Sequence, residues 1–202
     1  CTDMAARGRA TLDGTTLTNG LVTVVVDPAD GTFSLDGLAK LGKIVDDGDA
    51  GDTYNWSPPD HDVFVDQAET VSVSVAEADP VRGRVVVDAV YRLPHHIEDR
   101  ARVGEVDLAI QTTYELRAGE DFVRVSTAID NQARDHRLLL RRDLARGGGR
   151  TGAAAGRGHR RQRVRLVRRI AAHRRHQVRH QVVTTLQLGV DARPALAAVL
   201  PQ

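Results

Sequence analysis

Apolar and polar residues alternate through most of the first 140 positions, and that alternation places whole faces. Val71, Val73 and Val75 fall together, as do Val85, Val87, Ala89 and Tyr91. Leu108, Ile110, Thr112 and Tyr114 repeat the pattern, and Val123, Val125, Thr127 and Ile129 close it. A period of two is the signature of a strand with one face buried. Strands are expected over residues 63–65, 70–75, 84–93, 106–116 and 123–129, with turns at 80–83 and 117–121. Earlier, the β-branched run at 21–26 meets Asp-Pro-Ala-Asp-Gly and turns back onto 32–35 as a hairpin. No helical period competes before Leu140. The pattern implies an all-β, antiparallel sandwich over residues 11–140, preceded by a ten-residue extension.

Past residue 140 the pattern changes. Residues 141–202 carry 15 Arg against 2 Asp, whereas residues 1–140 carry 13 Lys and Arg against 25 Asp and Glu, so the overall charge of +1 is a cancellation. All seven aromatic residues lie between Phe33 and Phe122. An Arg/Gly/Ala-rich segment without aromatics or a hydrophobic period is expected to be disordered, with no stable tertiary structure. A sandwich ending at residue 140 is incomplete and exposes an unpaired edge. Two origins fit the segment: a reading-frame change in a GC-rich gene, or a natural basic tail whose arginines bind phosphate unspecifically. Specific recognition of nucleic acid is not expected.

Cys1 alone makes neither an internal disulfide nor a cysteine metal site. A chain opening Cys-Thr-Asp-Met reads as a fragment. No apolar run is long enough to span a membrane, and a cytoplasmic location is expected.

Residues 48–59, GDAGDTYNWSPP, interrupt the strands. Gly48 and Gly51 permit positive φ, while Asp46, Asp47, Asp49 and Asp52 can close turns onto their own backbone. Pro58 and Pro59 hold the exit extended. Tyr54 and Trp56 thus ride on a stiff polar loop. Such a loop can hold a sugar, a ring packing on the pyranose while carboxylates take its hydroxyls, or its aromatics can plug the end of a sheet.

This loop resembles one in the C-terminal β region of the glycoside hydrolase family 38 α-mannosidases. The segments LTNGLVTVVVDPADGTFSLDG at 17–37 and TTYELRAGEDFVRVSTAIDNQARDHRL at 112–138 resemble flanking blocks of that region, in the same order. The resemblance implies a large sandwich of the galactose mutarotase-like kind. It also implies that the chain derives from a retaining enzyme acting on α-mannosides, as its substrate-side β domain. In that family zinc, an Asp nucleophile and a second carboxylic acid sit in an N-terminal domain, which this chain lacks. No catalytic residue is assigned, and the chain alone is expected to be inactive and to hold no zinc. Tyr54 occupies the place of a family aromatic that reaches the sugar, with Asp52, Asn55 and Trp56 as weaker substrate-binding candidates. A free-standing carbohydrate-binding module is the alternative, and a basic-tailed nucleic-acid binder a distant one.

Other polar groups have structural explanations. Asp60-His61-Asp62 and His95-His96 are sequence neighbours, whose side chains point apart on a strand. His173, His176 and His180 share a face only if helical. Asp130, Asn131, Asp135, His136 and Arg137 are expected to form an Asp-Asn turn with Arg–carboxylate pairing.

Overall fold

In the computed structural model the described residues are 11–51, 55–141 and 180–189, the last as a strand path with its pairing. Among them there is no helix, and every strand pairing is antiparallel. A first sheet is a meander of β1 (Thr11–Asp13), β2 (Thr16–Thr18), β3 (Thr23–Val26), β4 (Phe33–Leu35) and β5 (Leu38–Leu41). The long sheet opposite it uses β7 (Thr70–Ala78), β8 (Arg82–Leu93), β11 (Val106–Arg117), β12 (Phe122–Asn131) and β14 (His180–Gly189), in the order β14-β12-β11-β8-β7. Two ribbons complete the set: β6 (Lys43–Gly48) with β13 (His136–Arg141), and β9 (His96–Glu98) with β10 (Ala101–Val103).

Alternation does its expected work in the long sheet. The buried positions of β8 are Gly83, Val85, Val87, Ala89, Tyr91 and Leu93, every second residue. Leu17, Val24, Val26, Phe33 and Leu35 of the meander close over Val85, Val87, Tyr114, Leu116, Val123 and Val125. A second cluster holds Ala89, Tyr91, Leu93, Leu108, Ile110 and Ile129 beneath Ile44, Val65 and Leu138. Gly83 is glycine for space: a Cβ there would come within 2.7 Å of the Leu17 side chain. Val75 is exposed although it pairs with Val85 in the register of Val71 and Val73, and a bulge follows it before Glu77.

Two expectations fail. Residues 63–65 form no strand, only an isolated bridge from Val65 to Asp46. The sheet also does not end at β12. Residues 180–189, placed by composition in a segment without tertiary structure, pair with β12 over its whole length, from Phe122↔Gly189 to Asn131↔His180. The sequence HQVVTTLQLG is β-branched and alternating, a strand signal hidden between arginine-rich flanks. β12 therefore lies inside the sheet, and the edges are β14 and β7. His180 stands in a strand, so helical spacing with His173 and His176 does not extend to it. The N-terminal extension and residues 142–179 and 190–202 lie outside the described residues.

Between the two core clusters, the sheets enclose part of a cavity of about 380 Å³.

Candidate functional site

β6 carries the loop, and it begins by burying charge. Asp46 and Asp47 were expected to close turns within the loop. Both instead stand on β6, each 1% exposed. Successive strand residues face opposite ways, so each meets its own cation. Asp46 Oδ1 accepts from the Arg102 guanidinium, and Asp46 Oδ2 accepts from His136 Nδ1 at 2.5 Å. Arg102, its side chain 1% exposed, also donates to the Val63 carbonyl at 2.5 Å and lies 3.7 Å from Asp62. The other His136 nitrogen, Nε2, lies 3.1 Å from Asn131 Oδ1, which already accepts from the Ala133 N–H at 3.0 Å. Both ring nitrogens thus lie against side-chain oxygens.

Asp47 takes both arms of Arg137, at 2.6 and 2.7 Å. Hydrogen bonding to that carboxylate pushes the Arg137 pKa up and fixes its plane. The guanidinium then lies over the Trp56 ring, 3.9 Å from its centroid, while Trp56 Nε1 donates to the Gly48 carbonyl at 3.1 Å. Half of Trp56 remains exposed.

The loop is closed on itself. Asp49 Oδ1 accepts from the backbone of Gly51 and of Ser57, both at 3.0 Å, and Ala50 N–H donates to the Ser57 carbonyl. Asp49 N–H reaches the Asp135 carbonyl, tying the loop to the turn before β13. Asp62 caps its base at the Gly48 N–H. The Asp49 turn agrees with its sequence reading, but the glycines serve a different purpose. Neither Gly48 nor Gly51 has positive φ. A Cβ on Gly51 would fall 1.8 Å from the Asn55 carbonyl oxygen, and one on Gly48 would meet Pro59 and Arg102 within 2.9 Å. Close approach selects glycine at both positions.

Of the four substrate-binding candidates, Asn55 and Trp56 lie on the exposed side of this loop. Asp52 and Tyr54 are outside the described residues. Arg102 was not singled out by the sequence. Its partners lie 39 to 56 residues away, a distance at which no local pattern points to it. Arg137 forms the Arg–carboxylate pair expected of its block, with Asp47, and His136 adds a pair with Asp46 that was not expected.

The remaining polar candidates do not converge. His61 and Asp60 are exposed, and Asp60 pairs with Arg100. His95 and His96 are half-buried with their Nδ1 atoms 3.2 Å apart, and burial, followed by Arg134, lowers the His95 pKa. Among the described residues no group of three or more His, Cys, Asp or Glu could hold a metal ion. No described helix is long and apolar enough to cross a membrane.

Seven chains among the solved structures match the sandwich, two of them as follows. One is a protein of glycosyl hydrolase family 38 from Enterococcus faecalis, with a TM-score of 0.58 and 20% identity over 65% of this chain. The other is an α-mannosidase from Enterococcus faecalis V583, with the same score, identity and share of this chain. The fold is that of a segment of family 38 glycosyl hydrolases. This chain spans 19% and 18% of the two proteins respectively. No family model matches the sequence, and no curated protein matches it.

Proposed function

We propose that this chain is part of an α-mannosidase of family 38 and supplies its substrate-side β domain. The observation that carries the reading is the shared sandwich, on which a braced loop sits at the point where the sequence resembles the family's sugar-facing loop. Asp47 orients Arg137, and Arg137 holds Trp56, so the loop stands on a buried ionic base. Pre-set polar and aromatic groups contact a sugar without first losing their own freedom. Tyr54, with Asp52, Asn55 and Trp56 beside it, would supply hydrogen bonds and ring contact to a mannoside bound by a separate catalytic domain. The nucleophile and acid are assigned to that domain, where zinc also belongs.

The test joins the 202 residues to the C-terminal side of a family 38 catalytic domain and measures turnover of an aryl α-mannoside. Activity is expected in the joined protein only. Tyr54→Phe should then lower kcat/KM about tenfold, the worth of one hydrogen bond. Zinc-dependent turnover by the 202 residues alone would place the catalytic groups wrongly. A carbohydrate-binding module is favoured instead if the chain alone binds α-mannosides by calorimetry and the joined protein gains nothing from it. The half-exposed Trp56 is the observation on that side.

The brace itself can be read by fluorescence, since Trp56 is the only tryptophan. Arg137→Met should remove the cation from the ring and leave Asp47 buried without its fork. We expect a shifted emission maximum and easier acrylamide quenching. An unchanged spectrum would show that Arg137 does not hold the ring.

A further inference from the structure

Asparagine loses its side-chain amide most readily when glycine follows it, because glycine sets no Cβ beside the attacking main-chain nitrogen. The chain has three asparagines, Asn19, Asn55 and Asn131, and only Asn19 precedes a glycine. The step is intramolecular. The Gly20 nitrogen, its proton taken by hydroxide, attacks Cγ of Asn19. The bond from Cγ to the side-chain nitrogen then breaks, ammonia leaves with a proton from water, and a five-membered succinimide remains. Water opens that ring at either carbonyl, giving aspartate or isoaspartate.

The fold opposes each part of this sequence. Asn19 is buried, and its carboxamide is held at both ends, Nδ2 by two carbonyls of the β11–β12 turn and Oδ1 by the N–H groups of Leu21 and Val22. Ring closure must rotate that group and make Cγ tetrahedral, which breaks the four bonds together. The attacking nitrogen is also engaged, since the Gly20 N–H donates to Thr18 Oγ1 at 3.3 Å. We propose that Asn19-Gly20 is a deamidation site that the folded chain keeps shut, and that opens only when the β2–β3 turn leaves the β11–β12 turn. The site then records unfolding. Aspartate turns a charge toward the carbonyls of Arg117 and Glu120, where the amide donated. Isoaspartate also adds a methylene to the main chain inside the turn. A chain held open long enough loses the clasp that would close it, whatever its function.

The experiment holds the full 202-residue chain in mildly alkaline buffer, with and without denaturing urea, and follows the tryptic peptide 10–40 by mass spectrometry. Asn19 is the only amide side chain in that peptide, so a gain of one mass unit reports it alone. Isomerisation at the Asp-Gly pairs leaves the mass unchanged. The gain is expected about a hundredfold more slowly in buffer than in urea, because four bonds must open first. Gly20 has φ 77° and open space where a Cβ would lie. Gly20→Asp uses a residue that tolerates positive φ, restores the Cβ beside the attacking nitrogen, and should slow the gain in urea. Asn19→Asp, made directly, stands for one product and should fail to fold or melt below the parent. The proposal is overturned if the rates with and without urea differ by less than about tenfold, or if urea produces no gain. It is equally overturned if Gly20→Asp leaves the rate in urea unchanged, or if Asn19→Asp melts with the parent.

Discussion

Arg102→Ala is expected to cost about 3–5 kcal/mol of stability, enough to leave much of the chain unfolded at 37 °C. The reason is what remains behind. Asp46 is 1% exposed and would keep only His136, while the Val63 carbonyl and Asp62 lose their donor as well. A carboxylate in that position is neither solvated nor neutralised. Arg100→Ala is the control, since the Arg100–Asp60 pair is exposed and its loss should barely register. Urea unfolding followed by circular dichroism compares the two. If both variants unfold at the same midpoint, the buried network does not contribute the stability assigned to it. Replacing Asp46, Arg102 and His136 together by apolar residues of similar volume should be far milder than the single change, because no orphaned charge is left.

Asn19→Ala is the second large effect, at about 3 kcal/mol. Asn19 is 2% exposed and makes four hydrogen bonds. Its Nδ2 donates to the carbonyls of Arg117 and Glu120, both at 2.7 Å, and its Oδ1 accepts from the N–H groups of Leu21 and Val22, both at 3.0 Å. One side chain thus fixes the β2–β3 turn and fastens it to the β11–β12 turn nearly a hundred residues later. Alanine would strand all four backbone groups. Asp would keep the two acceptor bonds but turn a carboxylate toward two carbonyls, so Asn19→Asp should be no better. A variant melting within two degrees of the parent would show that water replaces the amide.

Strands were legible where burial alternates strictly, as in β8, β11 and β12, because a period of two leaves a direct trace in the sequence. The same rule failed at residues 63–65, where apolar residues stand at the surface: Val63 and Phe64 are among the most exposed large side chains. It was overlooked at β14, whose signal is as regular as the others but sits in an arginine-rich context. The loop was recognised as a shaped loop, and Asp49 closes it as its residue type suggests. Its foundation was not legible. Asp46 and Asp47 look identical in sequence, and only the pleat of β6 sends one to Arg102 and His136 and the other to Arg137. Glycines were misread for a related reason, since sequence cannot distinguish a residue chosen for torsion from one chosen because another backbone passes close by.

The pairing of β14 with β12 sets a schedule for synthesis. Strands β7, β8, β11 and β12 follow one another through short connections, so each can add to the sheet soon after leaving the ribosome. β12 then waits for a partner encoded roughly fifty to seventy residues later, and non-local pairing of that kind is slow to close. During that interval its outer row of N–H and C=O groups is open to any other nascent chain. Translation that pauses or stops before residue 180 would release a product with a ten-residue adhesive edge, whereas the finished chain moves that edge to a strand assembled last.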